Sequence, residues 1–186
     1  MKLVIHMIAT LSIIGIISGA LLSELSGWAA PKIAAHRKAA TEKAIFQVQP
    51  EADKYKKIES LDFEIYEVFD HDMTIGYALP YSGSGFQGNI RLMIGLDSDL
   101  KRIIGMRVLE QVETPGLGTK ITEKIFLDQF LELFAVPQVV SVKGAKPSKD
   151  NEIEAITGAT ITSVAVVRII NNGLDELRSL KKEGKL

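Results

Sequence analysis

The chain contains no cysteine, which removes disulfides, thiol nucleophiles, thiolate-ligated iron–sulfur clusters and cysteine-linked cofactors together. Any redox chemistry must therefore use something other than sulfur. The compartment stays open, because a disulfide-free domain can live on either side of a membrane. Net charge is missing as well: 22 Lys+Arg stand against 23 Asp+Glu, a formal −1. No broad field attracts a polyanion, and nucleic acid is not an expected partner. The three histidines, His6, His36 and His71, are scattered without an H-x-x-x-H spacing, so no metal site is expected. There is no G-x-S-x-G elbow, no P-loop and no internal repeat, and no side chain stands out as catalytic. What remains is ordinary globular material, 46% hydrophobic and 24% charged over 186 residues. That excludes disorder and collagen, and it suits one domain with a short appendage.

The apolar residues are concentrated at one end. Leu3 to Leu22 carries no charged side chain except His6 when protonated, and about 20 residues at ~1.5 Å each make a helix of about 30 Å, the thickness of a bilayer core. A cleaved signal peptide, with Gly27-Trp28-Ala29 as its exit site, normally has an apolar region of only ~7–15 residues, so a retained single-pass anchor in contact with lipid is the expectation. Trp28 suits the headgroup level, and Gly15 and Gly19 form a small-residue face on which another helix could pack. Lys2 on one side and Lys32, Arg37, Lys38 and Lys43 on the other do not decide topology, since long domains translocate despite their charge.

Beyond the span, an Ala- and Lys-rich stretch reads as a helical stalk interrupted by Pro50. The expected divisions are a transmembrane anchor over 1–24, a stalk over 25–57 and a folded domain over 58–186. In that domain Leu61, Phe63 and Ile65 alternate, as do Ile90, Leu92, Ile94 and Leu96, and then Ile104, Met106 and Val108 after an Asp97-Ser98-Asp99 turn. This two-residue period predicts half-buried strands, with one more over Ile75 to Leu79. Helical spacing predicts one helix over Ile121 to Phe134 and another over Val164 to Leu180, with Val164, Val167, Ile170, Leu174 and Leu177 inward. The fold class is α+β, an antiparallel sheet packed by helices.

Three polar, glycine-rich segments interrupt these elements: Gly83-Ser84-Gly85-Phe86-Gln87-Gly88, Glu113-Thr114-Pro115-Gly116-Leu117-Gly118, and Thr157-Gly158-Ala159-Thr160 before the last helix. Each has a conformational reading, as a hairpin loop, a strand-to-helix joint and a helix cap by Thr160, Thr162 or Ser163. The last also offers hydroxyls and unpaired amides at a helix start, a seat for phosphate.

Taken jointly, the second and third segments resemble the FMN-binding domain shared by the G subunit of the Rnf complex and the C subunit of the Na⁺-translocating NADH:quinone reductase, and the length is nearer the former. The resemblance implies an electron-transfer subunit of a membrane-bound, ion-translocating ferredoxin:NAD⁺ oxidoreductase, a flavoprotein with other Rnf membrane subunits as partners. It further implies FMN held by a phosphoester to Thr160, installed by a flavin transferase that uses FAD, with Thr157, Gly158 and Ala159 completing the motif. Glu113, Thr114, Pro115, Gly116, Leu117 and Gly118 would lie by the flavin, Glu113 either near the ring or holding the loop. The soluble domain would face the outer side of the cytoplasmic membrane. Glu154 stands where the family usually has Asp, so the negative charge survives on a longer side chain. The alternative is a membrane-anchored FMN-binding or interaction module without covalent flavin.

Overall fold

The computed structural model describes residues 2–58 and 63–186. The chain divides into two compact units, one ending at Ala40 and one covering Thr41–Leu186. In the first, helix α1 (Lys2–Val48 in full) is long and apolar enough to cross a membrane. Its side chains Leu3, Leu11 and Ile16 are exposed, and the helix is apolar all round. The Thr10 hydroxyl donates to the His6 carbonyl at 2.8 Å, hiding its polar group within the helix. The ammonium of Lys32 lies 3.6 Å from the Trp28 ring centre.

The second unit is a six-stranded antiparallel sheet in sequential order: β1 (Lys54–Lys57), β2 (Tyr66–Asp70), β3 (Met73–Ser84), β4 (Asn89–Asp97), β5 (Arg102–Glu110) and β6 (Leu133–Phe134). Its centre is buried on both faces. Leu92, Ile94 and Leu96 of β4 join Leu79 and Tyr77 of β3 on the face covered by the long helix α3 (Thr160–Lys182), while Met93 and Ala78 point the other way. On that second face sit Ala44, Ile45 and Val48, the last turns of α1. The helix end approaches closely because Gly95 carries no side chain: a Cβ there would collide with the Val48 carbonyl. Buried Gln49 follows immediately, and its amide donates to the carbonyls of Tyr77 at 3.2 Å and Leu96 at 2.8 Å. Of the residues assigned to a stalk, 41–57 therefore lie within the compact unit, as helix end and edge strand β1, because they supply the apolar cover for one face of the sheet.

Between β5 and β6 the sequence led us to expect one helix over Ile121 to Phe134. The structure has instead a 3₁₀ turn (Gly118–Thr122), the four-residue α2 (Lys124–Leu127), another 3₁₀ turn (Asp128–Phe130) and β6. Glu123, extended at φ −74°, ψ 145°, breaks the run. Of the apolar residues whose helical spacing suggested that helix, Ile121, Phe126 and Phe130 are buried, but Ile125 is 82% exposed, and Phe134 lies under the Arg102 guanidinium rather than in the core. Short turns place those three side chains on the sheet as well as a helix would, so periodicity alone could not distinguish them.

Other differences are smaller. The first predicted strand begins later, at Tyr66; Leu61 falls outside the described residues, and Ile65, just before the strand, is fully buried. In β5, Ile103 rather than Ile104 enters the core, because a register shift opposite Gly95 and Leu96 inserts one residue and reverses the alternation. Val164 of α3 is exposed while Val166, Ile169 and Ile170 are buried. A short parallel pair, β7 (Val140–Val142) and β8 (Glu152–Glu154), leads the chain into α3.

Replacing Gly95 by Ala should overpack the seat of the α1 end and lower unfolding stability by about 1–3 kcal/mol. The shift of the urea midpoint at constant slope reports it.

Candidate functional site

The three glycine-rich segments meet. Strand β3 runs through Ser84, so the first is a tight hairpin rather than a long loop, closed by the Gly85 amide on the Gly88 carbonyl at 2.6 Å. The second follows β5, turning where the Thr114 carbonyl accepts the amides of Leu117 and Thr119, both at 3.2 Å. The third is a turn in which the Ala159 amide bonds the Ile156 carbonyl at 2.9 Å, with Gly158 at φ +84°. That backbone conformation suits glycine.

The residues that the first two segments contribute, Phe86, Thr114, Leu117 and Gly118, face Gly158, Ala159, Thr160, Ile161 and Thr162 across a cleft of about 360 Å³. Lys143, just past β7, completes the rim. Thus Thr160, Gly158, Ala159, Thr114, Leu117 and Gly118, singled out from the sequence, share one cleft. Pro115 and Gly116 are exposed at the turn, where the Gly116 amide donates to the Thr119 hydroxyl at 3.0 Å. Thr157 faces a neighbouring recess of about 250 Å³, with Glu154, Lys120, Glu123 and Gln129. The amide of Gln129 pairs with the backbone of Glu154, at 2.6 Å and 3.3 Å, holding the approach to the motif like an added strand.

None of the three candidate capping hydroxyls caps α3, whose first turn has no side-chain partner at Ala159. Ser163 instead accepts the Ile156 amide at 3.0 Å and donates to the Ala159 carbonyl at 3.1 Å. Thr162 turns inward to Glu113. The Thr160 hydroxyl is left half-buried at the cleft, with no hydrogen-bond partner among the described residues.

Glu113 joins the pieces. It is 4% exposed, and its two oxygens face different elements. Oε1 accepts the amides of Phe86 at 2.8 Å and Gln87 at 3.1 Å, whereas Oε2 accepts the Thr162 hydroxyl at 2.7 Å. Gly85 and Gly118 flank the carboxylate, where any side chain would strike it. Burial pushes its pKa up, but the donors from Thr162, Gln87, Phe86 and Gly88 outweigh burial and hold it below the usual carboxylate range. In the structure Glu113 ties the hairpin tip to the first turn of α3. The Glu113–Thr162 contact spans 49 positions, and Lys143 carried no motif to single it out, whereas Phe86 lay within the first glycine-rich segment. The paired glycines at 85 and 118 were the available hint of something packed close by.

Residues 85–175 match the FMN-binding domain family. The chain is 35% identical over 120 residues to the G subunit of the Na(+)-translocating ferredoxin:NAD(+) oxidoreductase complex of Acetobacterium woodii, covering 64% of this chain and 57% of that protein. It is 32% identical over 127 residues to the G subunit of the proton-translocating ferredoxin:NAD(+) oxidoreductase complex of Clostridium ljungdahlii, covering 68% and 66%. The chain thus spans a little over half to just under two thirds of these relatives. The crystal structure of the C subunit of the Na(+)-translocating NADH-quinone reductase from Parabacteroides distasonis superimposes with a TM-score of 0.54 at 28% identity, covering 60% of this chain and 59% of that one.

Glu113→Gln keeps the shape of the side chain but removes the charge that its donors favour. The cost at neutral pH should be about 1–3 kcal/mol. Because the folded pKa of Glu113 is lowered, its contribution is fully present above the unfolded value and lost as pH falls through the folded one. The gap in urea midpoint between wild type and variant should therefore close as the pH is taken below the carboxylate range.

Proposed function

Because this chain carries a domain of the FMN-binding family, we propose that it binds FMN in the cleft at Thr160 and serves as the electron-transfer subunit of a membrane-bound, ion-translocating ferredoxin:NAD⁺ oxidoreductase of the Rnf kind. FMN would be joined through a phosphoester to Thr160. The observation that carries this reading is the Thr160 hydroxyl, which faces the cleft without a hydrogen-bond partner among the described residues, at a helix start that no side chain caps.

The residues present suit both ends of the cofactor. The uncapped start of α3 directs amides and the positive end of its dipole toward a phosphate, and the Lys143 ammonium, which has no ion-pair partner among the described residues, stands on the same rim. Phe86, Leu117 and Ile161 are large apolar side chains left 59%, 46% and 62% exposed around the cleft. They would cover a flat ring and keep water from part of it. Bound FMN supplies the ability to accept and pass on one or two electrons, which this cysteine-free chain lacks. The protein holds, orients and partly covers it, and Glu113 keeps hairpin and helix at a fixed spacing.

Attachment would proceed with FAD as donor: the Thr160 oxygen bonds to the phosphorus of the FMN half, the P–O–P link breaks, AMP leaves, and the hydroxyl proton is released. The segment is reachable by a flavin transferase, since Glu154, Thr157 and Gly158 are exposed. The apolar part of α1 would anchor the chain in lipid beside other membrane subunits, with the domain on the outer face.

Co-expression of the full chain with a flavin transferase should yield a mass increase of one FMN less one water, and a band that fluoresces under ultraviolet light after denaturing electrophoresis. Thr160→Val should abolish both. Persistence of the label in the variant would move the site elsewhere. Flavin that is always lost on denaturation would leave a module that binds FMN without a covalent bond.

A further inference from the structure

Glu113 is a buried charge as well as a clamp. Among the described residues no cation pairs with it, and only hydrogen bonds compensate its burial. The carboxylate lies directly behind the cleft wall. Its Oε2 is 2.7 Å from the hydroxyl of cleft-lining Thr162, and the same oxygen stands 2.8 Å from where a Cβ on cleft-lining Gly118 would be. A charge in this position is screened less by salt and bulk water than one on the surface, so its field reaches the cleft more strongly than that of a surface carboxylate. Among the described residues the one charged side chain that lines the cleft itself is Lys143, which is exposed to solvent.

We propose that Glu113 tunes the reduction potential of the flavin: a fixed negative charge behind the cleft that makes addition of electrons less favourable, with Thr162 and the amides of Phe86 and Gln87 moderating its field. This rests on FMN occupying the cleft, and it is independent of the bond to Thr160. Glu113 acts through its field and through the groups it positions.

The two ends of the Glu113–Thr162 hydrogen bond separate charge from structure. Glu113→Gln removes the charge and should move the flavin midpoint to more positive potential. Thr162→Val leaves the charge with one donor fewer and should move the midpoint to more negative potential. A purely structural role would displace both variants in the same direction. The measurement is a redox titration of the FMN-loaded full chain, followed by flavin absorbance at neutral to mildly alkaline pH, where Glu113 stays ionised. Hydrogen exchange of the Phe86 and Gln87 amides in the cofactor-free chain provides a second readout: protection should be retained in both variants, since the side-chain carbonyl left by Glu113→Gln still accepts the two amides that Oε1 accepts in the wild type.

A midpoint that is unchanged or lowered in Glu113→Gln, or raised in Thr162→Val, overturns the proposal. So does a raised midpoint accompanied by loss of amide protection in Glu113→Gln, which assigns the shift to a displaced hairpin and not to the charge. Should that variant fail to fold, the sign of the Thr162→Val shift decides alone. Wild-type chain that takes up no flavin in any form defeats the functional reading and this inference with it. Flavin held only non-covalently defeats the phosphoester and leaves the potentials measurable.

Discussion

A carboxylate removed from water must be compensated where it sits, or it takes up a proton and the fold loses much of its stability. Here the hydrogen bonds that compensate it come from two elements: the amides of Phe86 and Gln87 at a hairpin tip and the hydroxyl of Thr162 in the first turn of α3. Each donor is useful to Glu113 only in one place, so the requirement of one buried oxygen pair sets the spacing of the hairpin, the loop after β5 and the start of α3. The cleft is the space left between elements tied in this way. Its polar floor and apolar rim have a common origin, because Thr162 points inward to Glu113 while Phe86, Ile161 and Leu117 remain outside.

The sheet provides the rigid frame for that joint. Buried on one face by α3 and on the other by the last turns of α1, β3 and β4 have cores above and below. Side chains such as Leu92 and Met93 alternate between two interiors rather than between interior and water. A hairpin growing from such strands is held at its base, so the clamp at its tip has to order only a few residues. On the far side, Asn171 of α3 exchanges two hydrogen bonds of 2.9 Å with the backbone of Val139. Arg178 donates to the carbonyls of Leu100 and Ala135 at 2.8 Å and 2.9 Å. The helix that carries Thr160 is thereby fastened along its length, which suits a site that has to keep a cofactor at a constant position.

Legibility from sequence followed the range of the physics. Strands β3 and β4 and helix α3 announced themselves through local periodicity, and the apolar span through its length. The expected helix over Ile121 to Phe134 dissolved into short turns because its buried aromatic and aliphatic side chains could reach the core from more than one backbone path. The alternation of β5 was misread by one residue because the register shift arises opposite a glycine on the neighbouring strand. Residues 41–57 resembled a stalk because the glycine that accommodates them, Gly95, lies far along the chain.

In the site, the motif residues could be named from sequence, since Thr157-Gly158-Ala159-Thr160 and the Glu113-to-Gly118 loop are contiguous strings with local turn chemistry. Their division of labour could not. The sequence by itself determined the composition of the chain's parts: a cysteine-free domain of strands and helices, an apolar segment long enough for a bilayer, and a hydroxyl-bearing turn at the head of the last helix. Only the tertiary structure decided that Thr162 and Ser163 are occupied elsewhere while Thr160 is left facing a cleft, and that Glu113 is a clamp. Ser163 is occupied by its own neighbours Ile156 and Ala159, but the bonds of Glu113 to Thr162, Phe86 and Gln87 join groups dozens of residues apart and exist only once the sheet has brought their ends together.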